Sequence, residues 1–411
     1  MLVKKVIAFS IALSFLFLIQ SCSRKQEAAK AKADSLARVD SILQAFRKDS
    51  IEAAHRIKKD TLLDNTARFI SGMPQLIKNS FSALEGDKYW KEYKVSIDTN
   101  WKRMYTKRLS KMKEWEAETF SKSLSDTLPL FYPFAGPDFL HAYYLYPETK
   151  EYILAALEPI IPIPHLDSVN VKTRDEFLDS LKHSLRDIFY KSYFITTHMQ
   201  NDLKQIKGVL PPFYFFIERS GHELLEQKFI TLDSNGEEKE VKGGLLSSQK
   251  VRGVKLTLRN WETKQIKTLY YFSTDISDKG LKKKPEFVKF VLKRGHYNTF
   301  VKSASYLMHN PEFSQIKSLI LSHSVSLFQD DTGVPFKDFK RRLDVTWQFY
   351  GAYTKPVKDF GSYLFQADLD SAYKASKDNQ ALPFSLGYHW SSKIQNYMLI
   401  KKSQLGIPKD K

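Results

Sequence analysis

The chain has 411 residues, of which 42% are hydrophobic, and it contains 29 Phe and 21 Tyr against 16 Gly and 16 Pro. This composition excludes disordered and fibrous proteins, and the length is sufficient for a core that needs no disulfides. The formal net charge of +18 favours anionic partners, which include lipid head groups, cell-wall polymers and nucleic acid.

Residues 1–21 have the pattern of a bacterial lipoprotein signal peptide. Lys4 and Lys5 form a short basic region, and the apolar run VIAFSIALSFLFLI that follows is shorter than the ~20 residues of a transmembrane helix. The segment LIQSC resembles a lipobox, with the small residue Ser21 placed for cleavage before Cys22. Lipid on the Cys22 thiol is expected to anchor the mature chain, since each buried CH₂ contributes ~0.8 kcal/mol.

The residues after Cys22 predict the destination of the anchored chain. Ser23 stands where some inner-membrane lipoproteins have a retaining aspartate, and Arg24 and Lys25 replace the acidic run of some surface-exported ones. We therefore expect an anchor in the outer membrane, facing the periplasm. The alternatives are an ordinary cleaved signal peptide or a buried cysteine.

Residues 22–65 are predicted to form the lipid anchor and a helical tether. No Pro or Gly occurs from Lys25 to Asp60, and apolar or small residues from Leu36 to Ile57 alternate by three and four. That spacing draws one stripe along a helix, although its small residues make a poor coiled-coil seam. A stalk is therefore a better interpretation than an oligomerisation zipper.

Residues 88–120 mix three tryptophans with many lysines and arginines, a composition that can serve nucleic acid. However, helical spacing is shared by Trp101, Met104, Tyr105, Arg108, Met112 and Trp115, which predicts that the aromatic residues face a core. An exported protein also lies in the wrong compartment, so we predict no nucleic-acid partner.

A βαβ unit is predicted next. LPLFYPF indicates a strand that ends at AGPD, DFLHAYYLY a helix, and EYILAALEP a second strand. Parallel pairing would bring Gly136, Asp138 and Glu158 to one ligand-binding edge of the sheet. The absence of a Gly-x-Gly-x-x-Gly loop argues against a dinucleotide. The alternative is that Asp138 caps a helix and Glu158 ends a strand.

The rest of the chain predicts a mixed fold. The segments PPFYFFIERSG, ELLEQKFITLD, VRGVKLTLRN and KQIKTLYYFST read as a four-stranded antiparallel meander. The segments PEFVKFVLKR, YNTFVKSASYLMHN and PEFSQIKSLILSH read as helices, and SVSLFQ and LPFSLGYHW as strands. We predict a mixed α/β (α+β) fold, with a short parallel βαβ element, an antiparallel meander and flanking helices, in a single composite domain over residues 66–411.

Several of these segments are similar to segments of a known protein family. FYPFAGPDFLHAYYLYP, YILAALEP, SASYLMH and LFQDDTGVPF resemble a family of uncharacterised exported bacterial lipoproteins with YPFSGPDF-type and LQDDSGIP-type segments. The resemblance runs from about Trp101 to Trp390. It implies export and brings no established activity, so no residue role follows from it.

Catalytic motifs are nearly absent. There is no G-x-S-x-G elbow, and GHELLE lacks the second histidine of a zinc helix, so we predict no metal and no cofactor. Asp330 and Asp331 follow SVSLFQ and could bind a metal or act as a base beside Lys302, Ser303 or Glu158. The alternative is an Asx turn.

Two functions remain open. The favoured one is a lipid-anchored envelope protein whose basic body binds an anionic polymer or a protein partner. The other is an exported hydrolase that uses strand-end acids around Asp138, Glu158, Asp330 and Asp331. A hydrolase requires these acids to meet in one cleft, which we expect if SVSLFQ runs parallel to the βαβ strands.

Overall fold

The computed structural model describes residues 57–121, 128–194, 206, 208–243, 250–390 and 394–403. The chain from Ile57 onward makes one unit. The predicted signal peptide, Cys22 and the tether up to residue 56 lie outside the described residues, as does the segment 195–205.

The described residues contribute ten strands to one sheet. Their bounds are β1 Leu130–Pro133, β2 Glu151–Ala156, β3 His222–Leu232, β4 Glu238–Glu240, β5 Arg252–Asn260, β6 Ile266–Ser273, β7 Tyr297–Val301, β8 Ser324–Gln329, β9 Val345–Gly351 and β10 Asn396–Lys402.

The helices of the same residues surround the sheet. Their bounds are α1 Thr61–Ile70, α2 Lys88–Met104, α3 Ser110–Trp115, α4 Phe139–Leu145, α5 Val171–Ser184, α6 Arg186–Lys191, α7 Leu210–Arg219, α8 Asp278–Lys283, α9 Pro285–Leu292, α10 Ser314–His323 and α11 Ala367–Ala375. Single π-helical turns at Tyr105–Leu109 and Glu116–Phe120 continue α2 and α3. None of the helices described has the length and apolar character that a membrane span needs.

The sheet is parallel at its centre and antiparallel at both sides. Its strand order is β4-β3-β5-β6-β2-β1-β7-β8-β10-β9. The five strands from β6 to β8 run parallel to one another, whereas β5, β3 and β4 on one side and β10 and β9 on the other pair antiparallel. The predicted mixed α/β class, with its parallel βαβ unit, is confirmed.

Helices cover both faces of the sheet. Since side chains alternate along each strand, neighbouring residues of one strand pack into different cores. Tyr132 and Leu154 pack in the core under α1 to α7, and Phe131 and Ile153 pack in the second core under α8 to α11. A parallel strand covered on both faces reads as a continuous apolar run, which is why β1 and β2 are recognisable in the sequence.

The basic, tryptophan-containing segment belongs to the first core. Met104, Met112 and Trp115 are buried and Trp101 is half-buried, as the helical spacing predicts, and Trp90 is buried as well. Tyr105 is an exception and is exposed. The lysines between these residues are exposed, apart from the half-buried Lys94.

Three predicted elements are wrong. PPFYFFIERSG forms helix α7, in which every residue from Leu210 to Glu218 is buried, and a continuous apolar run does not distinguish a buried helix from a strand. The start of YNTFVKSASYLMHN forms strand β7 rather than a helix, with Asn298 and Thr299 buried in the sheet. LPFSLGYHW is not a strand, and β10 takes its place in the sheet.

Candidate functional site

The carboxyl ends of the five parallel strands meet at one edge of the sheet. Strand β8 runs parallel to β7, and β7 to β1, so Asp330 follows its strand at the same edge as Asp138. The prediction of a shared edge is confirmed. From β1 the chain leads to its neighbour β2, and from β7 to β8 on the opposite side. The neighbouring strands β1 and β7 therefore form a topological switch point, where open α/β sheets bind their ligands.

A pocket of about 450 Å³ opens at this switch point. Its walls come from the loops after β1, β2, β6 and β7, together with side chains from two other segments. The lining residues are Tyr132, Phe134, Ala135, Gly136, Asp138, Ala156, Leu157, Glu158, Pro159, Ile161, Tyr193, Phe194, Thr274, Asp275, Ile276, Lys302, Ser303, Ala304, Ser305, Leu307, Phe313 and Tyr388. This mostly apolar lining with a few polar groups, and this size, are typical of small-molecule sites.

The loops around the pocket hold strained backbone. Six described residues other than glycine have a left-handed φ, and four of them are Phe134 after β1 and Ser303, Ser305 and Tyr306 after β7. Such conformations cost on the order of 1–3 kcal/mol each and concentrate where a protein holds a ligand or a reacting group. The clustering therefore supports the switch point as the functional site.

A buried ion pair forms the polar floor of the pocket. The Lys302 ammonium lies 2.6 Å from Asp138 Oδ2 and also donates to the carbonyl oxygen of Ser192. Tyr132 Oη donates to the same carboxylate over 3.0 Å. Asp138 also caps α4, because its Oδ1 accepts from the backbone N–H of His141. The predicted capping role of Asp138 is therefore real, and a tertiary ion pair is added to it.

The protonation states within this floor follow from burial and charge. Burial lowers the pKa of Lys302, and the Asp138 carboxylate counteracts that decrease. Burial also lowers the pKa of His141 to about 4, so the imidazole is neutral at pH 7. Burial alone would raise the pKa of Asp138, but the charge that His141 carries in the acid range and the charge of Lys302 outweigh burial and hold that pKa below its usual range. Because His141 is neutral at pH 7, the cation that pairs with Asp138 in this floor is Lys302.

Asp330 joins two loops and does not line the pocket. Its Oδ2 accepts from Ser303 N over 2.9 Å, and its Oδ1 accepts from the backbone and hydroxyl of Thr332. The Thr332 hydroxyl oxygen in turn accepts from Ala304 N over 2.8 Å. The bond from Thr332 N is the Asx turn that the sequence offers as the alternative. Burial raises the pKa of Asp330.

Asp331 faces away from the pocket. Its Oδ2 accepts from Tyr306 Oη over 2.6 Å, and its Oδ1 lies 3.8 Å from His389 Nε2. Neither of the last two atoms has a hydrogen-bond partner among the described residues. Burial, followed by the nearby charge of Asp330, raises the pKa of Asp331. Its side chain thus belongs to a separate buried cluster.

Glu158 lies on the wall of the pocket, two residues beyond the end of β2. Tyr271 Oη donates both to its carbonyl oxygen, over 2.9 Å, and to its Oε2, over 3.2 Å. Within the described part of the chain this carboxylate has no ion-pair partner. Burial raises the pKa of Glu158.

Ser303 is indicated by the sequence only as a neighbour of the acids, within a segment predicted to be helical. Its buried Oγ has no hydrogen-bond partner within the described chain, and the same holds for Tyr397 Oη. Both atoms, with Asp330 Oδ2, surround the point where a Cβ on Gly387 would lie. Only the strand register of β7 places Ser303 and Lys302 at the edge, and no local sequence motif indicates it.

Of the residues that the sequence indicates, Asp138, Glu158, Lys302 and Ser303 therefore line one pocket. Asp330 holds the backbone of Ser303 from outside the pocket, and Asp331 belongs to a separate buried cluster, so neither of these acids is in the predicted cleft. Among the described residues no group of three His, Cys, Asp or Glu side chains could hold a metal ion. His222, from GHELLE, begins strand β3 and lies between Tyr143 and Asn260 rather than on a helix.

Comparison with protein-family models, with curated proteins and with solved structures found no match for this chain.

Proposed function

We propose that this protein is a lipid-anchored envelope protein whose globular body binds a small, largely apolar ligand in the switch-point pocket. The observation that carries the proposal is the pocket itself, which lies where the connections of β1 and β7 diverge and is bordered by strained loops. Anchorage through Cys22 rests on the lipobox-type signal peptide.

Binding is favoured over catalysis because most of the strand-end acids already serve the fold. Asp138 is paired with Lys302, and both oxygens of Asp330 hold loop atoms. A general base needs a lone pair directed at the proton it removes. These carboxylates instead hold the walls of a pocket.

The test is to purify the full chain in detergent and identify small molecules that copurify with it by mass spectrometry. Leu157 is exposed and lines the pocket, so Leu157→Trp adds bulk at the site without disturbing the core. Leu343→Trp, at a fully exposed leucine that does not line the pocket, is the matched control. We expect a bound compound in the native protein and the control, and loss of it in Leu157→Trp. Equal recovery from all three proteins would overturn the proposal.

The basic surface supplies a second part of the proposal, the binding of an anionic envelope polymer or a protein partner. The support is the net charge of +18, or +16 once Lys4 and Lys5 are removed with the signal peptide, which favours such association at low ionic strength. Cosedimentation with cell-wall polymer should decrease steeply as salt is added. Association that salt leaves unchanged would remove the electrostatic argument.

An exported hydrolase is the second candidate, and one observation favours it. Ser303 lies two residues after the end of β7 in a left-handed conformation, and its Oγ is unpartnered among the described residues, as the nucleophile of a strand-to-turn elbow would be. Against it, Ala304 N, the neighbouring donor that would stabilise an oxyanion, already donates to Thr332. Labelling of the protein by a fluorophosphonate, and its loss in Ser303→Ala, would establish the hydrolase in place of the binding protein.

A further inference from the structure

The charged side chains that line the pocket differ in how far other protein groups already engage them. Four charged residues line it, namely Asp138, Glu158, Asp275 and Lys302. The Lys302 ammonium is engaged by Asp138, by Ser192 and by the ring of His141 3.1 Å away. An anionic ligand could reach this ammonium only by displacing buried partners, which is costly.

The other nearby cations are also engaged or distant from the wall. Arg108, behind the ion pair, donates to the carbonyl oxygen of Ile188 over 2.9 Å and does not line the pocket. On the opposite wall, Asp275 Oδ1 accepts from Ser277 N over 2.9 Å, and the positive charge of Lys284 lies near it. Asp275 is thereby committed to the start of α8.

Glu158 is different from the other three. Tyr271 is its partner among the described residues, and no cation of that part of the chain pairs with it. The side chain is half-buried beside the pocket, so its charge is poorly solvated and burial raises its pKa. A positive group in the pocket would relieve this unfavourable state.

Aromatic rings supply the second requirement for a cation. Phe134, Tyr193, Phe313 and Tyr388 line the same pocket. Ring faces attract an ammonium group within about 6 Å, and they also pack against an apolar body. A carboxylate or phosphate would gain nothing from them.

We propose that the ligand of this pocket is an amphipathic amine, whose ammonium pairs with the Glu158 carboxylate while its apolar body fills the aromatic-lined space. The inference rests on the proposed binding function and specifies its ligand class. The whole chain has a net charge of +18. Recognition in this pocket would nevertheless depend on a negative charge, that of Glu158, which has no ion-pair partner among the described residues.

Three probes with one skeleton test the ligand class by calorimetry on the full chain in detergent: naphthylethylamine, naphthylethanol and naphthylacetate. We expect the amine to bind about tenfold more tightly than the alcohol, as for a partly desolvated charge-assisted pair, and the carboxylate to bind most weakly. Glu158→Gln should reduce amine affinity about tenfold and leave alcohol affinity unchanged. Glu238→Gln is the matched control and should change neither affinity, because Glu238 is also a half-buried carboxylate that accepts from a tyrosine, Tyr270, but does not line the pocket.

The outcomes separate the two proposals. Binding of the alcohol that Leu157→Trp abolishes, without any preference for the amine, would overturn the amine inference and leave the binding function in place. Amine affinity that survives Glu158→Gln would do the same. If none of the three probes binds and no compound copurifies, both proposals are overturned.

Discussion

The Lys302 ammonium lies 2.6 Å from Asp138 Oδ2, and both side chains are almost completely buried. The pair joins the end of β7 to the start of α4 across the switch point. Taking one charge from such a pair leaves the other buried without compensation. The stability of the protein should therefore depend on both partners together.

Asp138→Asn is expected to lower the free energy of unfolding by about 3–5 kcal/mol, because Lys302 would lose its counter-charge. Urea unfolding followed by circular dichroism measures the change. In the double variant with Lys302→Met the loss should be smaller than in Asp138→Asn alone. Asp344→Asn is the control, since its ion pair with Arg342 is partly exposed to solvent and contributes about 1 kcal/mol or less. A double variant that is less stable than the single variant would contradict the ion-pair argument.

His141 should make stability depend on pH in the acidic range. Its pKa is about 4 in the folded chain, compared with 6.5 for an unperturbed histidine, so between these values the unfolded chain binds more protons. Stability from this residue is therefore complete above about 6.5 and decreases as the pH falls towards 4. Urea midpoints across this range should be less pH-dependent in His141→Gln than in the native protein. Parallel profiles for the two proteins would show that His141 does not titrate as described.

Gly387→Ala should destabilise the protein for two reasons. Gly387 has φ +74°, and an added Cβ would lie 2.8 Å from both Asp330 Oδ2 and Tyr397 Oη. Backbone strain accounts for about 1 kcal/mol, and the close contacts add about 1–3 kcal/mol. Gly243→Ala is the matched control, because Gly243 has φ +82° and no atom of the described residues lies within 4 Å of its Cβ position. Equal losses in thermal unfolding would show that the cluster around Gly387 tolerates a methyl group.

Cys22→Ala should abolish labelling of the protein by palmitate in growing cells, because the thiol that carries the lipid is removed. The chain should then accumulate as an unprocessed or soluble form on fractionation. Ser23→Ala, which keeps the thiol, should be labelled as the native chain is. Labelling that persists without Cys22 would refute the lipid anchor.

The part of the site that can be predicted from the sequence is the part set by local hydrophobic pattern and by the handedness of the βαβ connection. The βαβ unit is readable because β1 and β2 are short apolar runs on either side of a helix, and the right-handed connection then fixes the edge for Asp138 and Glu158. Strand β7 escapes prediction because its centre carries polar residues that pair inside the sheet, such as Thr299 with Ser324 over 2.6 Å. Without β7, Lys302 and Ser303 cannot be assigned to the pocket.

The sequence also does not predict which way the side chains of Asp330 and Asp331 point. Asp330 and Asp331 are adjacent, and successive residues at a strand end point to different sides. Asp330 accepts a hydrogen bond from the loop that borders the pocket, and Asp331 accepts one from Tyr306. Tertiary partners decide between these roles, and they lie 25 or more residues away in the chain.

The position of β10 in the sheet determines the order in which this side of the sheet can fold. Strand β9 pairs with β10, and β10 pairs with β8, so the final described strand is inserted between two strands that precede it. A polypeptide that crosses a membrane amino terminus first can form the parallel centre early, but this side of the sheet stays open until Lys402 has emerged. If the chain is exported as we propose, this side of the sheet folds only after translocation, and until then β8 presents an unpaired strand edge that is prone to association.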